Sequence, residues 1–308
     1  YSEGIDDMYY TVCWHKKALV SDTESLSKRS VLVITDGTGI FDEFISVLKA
    51  KAKTLIKAQL GSQFSRVDEN YIIDGTQKDY ERLVKDVEEY GISTVVYLLS
   101  FTGNKTINSA EELEEVQNSH SEGLLYLVKA LGNTAENKIE LVIVSDNVNE
   151  VTGRESRINP ENAITFGMGK CIGMEYENIR CRMIDFDEHT DAAVLVKELC
   201  NEADDWVVAY RDGERYVDVI EKVDKSALND SGIPQVSEGV CLITGGTGRL
   251  GLEAAKLIAS KGKANIALVS RTPVPDRTEW DNILAEGADK RLCSVINTVR
   301  EIEKSGSK

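Results

Sequence analysis

Histidine is scarce in this 308-residue chain: His15, His120 and His189 stand in unrelated contexts. That scarcity argues against a zinc site and against a histidine-based triad, since both need convergent imidazoles. Six cysteines (Cys13, Cys171, Cys181, Cys200, Cys241 and Cys293) occur without any Cys-x-x-Cys spacing. Several lie in apolar runs, where a free thiol acts as a small hydrophobe, so a reduced, cytoplasmic thiol population is expected. No apolar run approaches the ~18 residues of a membrane span, and no signal peptide is recognisable. Positive charge is in deficit too, with 36 Lys and Arg against 52 Asp and Glu, a net charge of −16. Nucleic acid and anionic membranes both require a basic face, and neither is expected as a partner. An acidic protein partner stays open, because a small basic site can sit on an acidic body.

What the chain does have is alternation. Between residues 30 and 200, apolar runs suited to buried strands alternate with helical patterns. The runs include Ser30–Thr35, Ser93–Phe101, Glu140–Ser145 and Cys181–Phe186. The helical patterns include Asp42–Ala52, Lys78–Tyr90, Ser109–Leu131, Asn159 to about Glu175, and Ala192–Cys200. This order is the signature of a parallel sheet covered on both faces. Met8–His15 reads as a further strand. Trp206–Tyr210 and Arg215–Glu221 read as a hairpin, with Asp212-Gly213 in its turn. The polar stretch Asp224–Glu238, with Gly232 and Pro234, reads as a linker, after which the alternation restarts. The expected fold class is therefore α/β, with two Rossmann-like units in tandem and mainly parallel sheets. The expected domains are 1–232 and 233–308.

The second unit opens on Val240–Gly251, VCLITGGTGRLG: an apolar run, a glycine-rich turn, then a helical pattern. Strand, tight turn and helix in that order place a pyrophosphate on a helix N-terminus. The spacing fits Gly246-x-Gly248-x-x-Gly251 and equally Thr244-Gly245-x-x-Gly248-x-x-Gly251. Thr244, Gly245, Gly246, Thr247, Gly248, Arg249, Leu250 and Gly251 are the candidate cofactor-binding residues. The residue that reads the cofactor ribose is expected ~20 positions after the last glycine. There Ala267–Val269 is a second strand ending in Ser270 and Arg271. A cation in place of an acid suits a 2′-phosphate, so both residues join the candidate site and NADPH is the expected cofactor.

The first unit's opening aligns with this stretch without a gap, Ile34–Asp42 against Ile243–Gly251. The central Gly-Thr-Gly is kept, but Asp36 and Asp42 replace the first and last glycines. Carboxylates there put negative charge where a pyrophosphate would lie, so the first unit is expected to be a degenerate, structural copy.

A degenerate Rossmann half, a linker and a half with an intact TGGTGxLG turn resemble the ketoreductase domain of modular polyketide synthases, in the short-chain dehydrogenase/reductase superfamily. Pro160–Asn162 through Gly173–Tyr176, Val208–Tyr216, and Ser270–Pro273 with Trp280 carry the likeness further. The resemblance implies stereoselective, NADPH-dependent reduction of a β-keto group on a phosphopantetheine-tethered substrate. Its implied partners are an acyl carrier protein and neighbouring synthase domains. A non-catalytic docking module of such an assembly line is the alternative. The departure from the family concerns chemistry. Its catalytic Tyr is followed four positions later by Asn or Lys, and none of the eleven tyrosines here has either residue there. All of them precede the glycine turn. No catalytic residue is assigned within the chain, and the second unit is expected to be an incomplete NADPH-binding unit of two strands and two helices.

Overall fold

The computed structural model describes residues 9–19, 23–103, 107–133, 138–201, 204–224 and 239–308. The chain divides into two compact units, Tyr1–Lys225 and Ser226–Lys308. Almost all of the expected linker, and with it the expected boundary at 232/233, lies outside the described residues.

In the first unit the apolar runs become parallel strands. They are β2 (Ser30–Thr35), β3 (Thr54–Leu60), β6 (Thr94–Tyr97), β7 (Ile139–Asp146), β8 (Ile179–Phe186) and β9 (Val207–Arg211). Shorter strands are β4 (Ser65–Val67) and β5 (Asn70–Ile73); β1 (Tyr10–Lys16) and β10 (Glu214–Lys222) close the other side. Among the described residues these form one sheet in the order β1-β10-β9-β8-β7-β6-β2-β3-β5-β4. Period-two geometry sorts each strand between two cores. Leu32 and Ile34 face a cluster with Tyr80, Leu83, Leu124 and Leu127, while Val31 and Val33 face one with Phe44, Leu48, Leu195 and Leu199. The covering helices are α1 (Asp42–Lys51), α2 (Gln77–Val87), α3 (Ala110–Gln117), α4 (Gly123–Gly132), α5 (Ala163–Glu175) and α6 (Val194–Leu199). In the β9–β10 hairpin Asp212 and Gly213 both take positive φ, as the Asp-Gly signal requires.

Two sequence expectations need correction here, and one strand is additional. The run Ser93–Phe101 is a strand only over Thr94–Tyr97. Beyond it, Phe101 donates its amide to the Leu98 carbonyl, and the Ser100 and Ser145 hydroxyls bond across to the backbones of Val144 and Ser100. The helix expected over Ser109–Leu131 is broken into α3 and α4 by a π-turn at Asn118–Glu122. The Tyr97 hydroxyl, arriving from β6, donates to the carbonyls of His120 at 2.8 Å and Ser119 at 3.3 Å. A widened turn exposes such carbonyls, and here a buried phenol meets them. Finally, the exposed three-residue strand β4, paired with β5, has no apolar pattern to announce it.

The second unit holds parallel strands β11 (Cys241–Thr244) and β12 (Ile266–Val269) with α7 (Arg249–Ser260), α8 (Trp280–Glu286) and α9 (Lys290–Lys304). Ala255, Ala259 and Ile302 pack with Ile243, Ile266 and Leu268 on one face of the pair. On the other, Val240 and Leu242 are each 64% exposed. Three helices form among the described residues where two were expected. The additional α8 is anchored by buried Trp280, whose Nε1 donates to the Pro275 carbonyl at 2.9 Å and whose ring lies under Arg277 and Arg300. All six cysteines are free. No helix among the described residues is long and apolar enough to cross a membrane.

Candidate dinucleotide site

The glycine turn joins β11 to α7. Gly245 carries the left-handed conformation, φ +65°, which an L side chain resists. Gly246 lies against β12: a Cβ there would come within 2.8 Å of the Ile243 carbonyl oxygen and of Leu268. Its amide donates to the Val269 carbonyl at 3.0 Å, pinning the turn to the second strand. Gly251 is the tightest position, with a hypothetical Cβ 2.7 Å from the Gly245 carbonyl oxygen and the Gly246 Cα. Backbone, not a flexible side chain, is the obstacle at both positions. Gly248 caps α7 without a side-chain bond, and no acid stands in that helix's first turn. The first amides of a helix have no intrahelical acceptor, so those of Arg249, Leu250 and Gly251 are donors at a positive helix end. Thr244 and Arg249 are exposed, Thr247 is buried, and Leu250 is 86% exposed.

Beyond β12, the Ser270 hydroxyl donates to the Thr272 carbonyl at 2.5 Å. Arg271 beside it is exposed and forms no ion pair among the described residues. The structure therefore places Arg271 as a free cation just past the end of β12, and Ser270 as a residue that shapes that turn. The pinning role of Val269 and Leu268 was not visible in the sequence, because it depends on backbone atoms that any residue there would supply.

The matching stretch of the first unit has a different backbone. Its positive φ angles fall at Gly37 and Gly39, and α1 begins at Asp42. In the ungapped alignment Gly37 and Gly39 correspond to Gly246 and Gly248, and Asp42 to Gly251. The helix therefore starts two positions later than α7 does. Asp36 Oδ1 accepts from both the amide and the hydroxyl of Thr38 at 3.0 Å, and Asp42 and Glu43 occupy the first turn of α1. Phe41 closes edge-to-face on Phe101, ring centroids 5.1 Å apart. The Thr38 amide is thus engaged by Asp36, the Asp42 amide by the Gly39 carbonyl, and two carboxylates stand at the helix end where a phosphate would lie.

Carboxylates gather at the carboxyl ends of β7 and β8. Asp146 Oδ1 accepts from the Thr102 amide (2.7 Å), the Thr102 hydroxyl and the Asn162 amide group, and Oδ2 accepts from Asn159 Nδ2 (2.8 Å). Burial pushes its carboxyl up to about 6, against the lowering effect of Thr102, with Asp185 adding to the rise. Burial also raises Asp185, opposed by Arg211, which donates to it at 2.8 Å. Phenols are buried as well. Desolvation raises Tyr80, Tyr97 and Tyr210, the opposite of what proton transfer near neutrality needs. The second unit contains no tyrosine at all. No metal-binding group of His, Cys, Asp and Glu occurs among the described residues.

Residues 239–304 match the KR domain. The chain is 27% identical over 269 residues to 6-methylsalicylic acid synthase of Aspergillus terreus, covering 85% of this chain and 14% of that protein. It is 39% identical over 70 residues to the Penicillium patulum enzyme of the same name, and 28% identical over 147 residues to polyketide synthase PksL of Bacillus subtilis. These matches cover 23% and 46% of this chain, and 4% and 3% of those proteins. Among solved structures it superposes on the adenylation–ketoreductase structure of a keto acid-selecting NRPS module, with TM-score 0.78 and 22% identity. That match covers 97% of this chain and 25% of the other. On an A1-type ketoreductase the TM-score is 0.67 at 19% identity, covering 98% of this chain and 57% of the other. The chain thus spans a small part of the curated relatives and little more than half of a typical matched ketoreductase structure. The KR match covers residues 239–304, and the similarity to a polyketide-forming synthase runs along most of the chain.

Proposed function

We propose that the second unit is the dinucleotide platform of an NADPH-dependent ketoreductase acting on a β-keto group carried by an acyl carrier protein. The observation that carries this reading is the backbone of Gly245–Gly251, where three glycines clear a path to the uncapped N-terminus of α7. Gly246 and Gly251 keep side chains away from the turn, and the amides of Arg249, Leu250 and Gly251 are suited to a pyrophosphate. Arg271 presents a guanidinium whose fork matches a 2′-phosphate bidentately. Bound NADPH would supply the hydride; this chain's own residues bind and orient it. The first unit, with Asp36, Asp42 and Phe41 closing its turn, is the structural partner.

Titration of the 308-residue protein with NADPH and with NADH, followed by nicotinamide fluorescence, tests the reading. Arg271→Ala is expected to weaken NADPH binding about ten- to hundredfold, the loss of a charge-assisted contact of roughly 1.5–3 kcal/mol, and to leave NADH binding within about twofold. Equal losses for both cofactors would remove the 2′-phosphate role. Failure of the unsubstituted protein to bind either would remove the platform itself.

A further inference from the structure

The first unit is electrically polar. At the carboxyl ends of its parallel strands stand Asp36, Asp42 and Glu43 after β2, Asp146 as the last residue of β7, and Asp187 and Glu188 after β8. At the amino ends the charge is mixed, with Glu177 before β8 and Asp204 and Asp205 before β9, and cations gather around β2, β7 and β8. Lys28 and Arg29 precede β2, Lys138 precedes β7, and Arg180 is the second residue of β8. These four line one open groove of about 690 Å³ across the amino ends of β2, β6, β7 and β8. Two acids share its walls, Glu140 and Glu177. Glu140 is already held twice, by Arg29 at 2.5 Å and by fully buried Arg182 at 3.2 Å, so it does not cancel the lysines. Arg180 is paired with Asp204 at 3.0 Å across an exposed rim, where such a pair contributes little. Lys28 and Lys138 are exposed and form no ion pair among the described residues. Among the described residues lining the groove, exposed Glu177 is the opposing charge left without such a pairing.

We infer that this groove is a docking surface for an acidic protein segment, a helix or loop carrying clustered carboxylates. In a chain of net charge −16, an acidic partner is repelled from most of the surface, and the exposed Lys28 and Lys138 of this groove offer it complementary charge. The mixture of cations with Glu140 and Glu177 suits spaced side-chain carboxylates better than the continuous charge of a nucleic acid, which the overall acidity also repels. The inference does not depend on which nicotinamide cofactor the second unit takes.

Fluorescence anisotropy of a fluorescein-labelled oligo-glutamate peptide with the 308-residue protein at low ionic strength tests it. The unsubstituted protein is expected to bind the peptide, and the affinity to fall steeply with added salt. Lys28→Glu with Lys138→Glu is expected to weaken binding about tenfold or more, and Lys28→Gln with Lys138→Gln by less. The control pair Lys261→Glu and Lys290→Glu changes the net charge equally on exposed sites of the second unit and is expected to leave binding almost intact. No binding by the unsubstituted protein overturns the inference. So do equal losses in the groove and control pairs, or equal affinity for a single-stranded oligonucleotide of the same charge.

Discussion

Asp146 sits at the end of β7 with four donors aimed at its carboxyl and almost no access to water. Its native value of about 6 lies above the ordinary 3.8, so the folded chain holds this proton to higher pH than the unfolded chain does. The sign follows: the contribution of this group to stability is greatest below pH 4 and declines as pH rises to about 6. A shift of this size corresponds to about 3 kcal/mol. Relative to the unsubstituted protein, Asp146→Asn is expected to gain up to about that amount between pH 4 and pH 7, read from urea midpoints at the two pH values. A difference between the two proteins that is constant with pH would show the carboxyl to be ionised throughout. At this scale Gly246, Gly251 and Arg271 were legible in the sequence, because each is tied to a spacing. Asp146 was not, since the partners that bury it come from residues 102, 159 and 162.

Along the helices, Gly123 at the start of α4 shows how one element is shaped by another. A glycine in a helix costs roughly 1 kcal/mol relative to alanine, so Gly123→Ala would stabilise an isolated segment. Here the added Cβ would stand 2.8 Å from the Tyr97 hydroxyl and 2.9 Å from that of Tyr80, both deep in the core. Displacing the Tyr97 hydroxyl from the His120 carbonyl removes a buried bond, and overpacking costs typically 1–3 kcal/mol. The net expectation is destabilisation by about 1–2 kcal/mol, with faster amide exchange across the π-turn and α4. A stabilised Gly123→Ala protein would refute this account of the π-turn. Strands β2, β7 and β8 were readable because an uninterrupted apolar run has few other uses, and the β9–β10 hairpin because Asp-Gly specifies its turn. The π-turn was not readable, because its cause is a hydroxyl on β6. The start of α1 at Asp42 was readable from the helical pattern Asp42–Ala52, although the aligned helix α7 begins two positions earlier.

At the scale of the whole first unit, Glu198 of α6 joins elements far apart in sequence. Its carboxylate accepts from Arg182 of β8 at 2.6 Å, Tyr210 of β9 at 2.7 Å and Arg215 of β10 at 2.5 Å. Arg215 passes the connection to Asp205 and thence to Lys17, just after β1. Removing the carboxylate leaves two buried guanidiniums without their shared counter-charge, and breaking such a network costs roughly 3–5 kcal/mol. Glu198→Ala is expected to lose that much in urea unfolding of the first unit. A loss under about 1 kcal/mol would mean that water replaces the carboxylate. Nothing in the local sequence around Glu198 marks it, since its partners lie on three other elements.

The two glycine turns also bear on whether the past of this chain can be reversed. If both units descend from one nucleotide-binding ancestor, the first did not lose its site by two substitutions alone. Its helix now starts two positions later, its left-handed residues have moved, and Phe41 and Phe101 have closed on each other. Restoring glycine at positions 36 and 42 would undo the charge and leave the backbone and the aromatic pair in place. The geometry of the second turn would return only if the helix start, the left-handed positions and the aromatic pair all changed together.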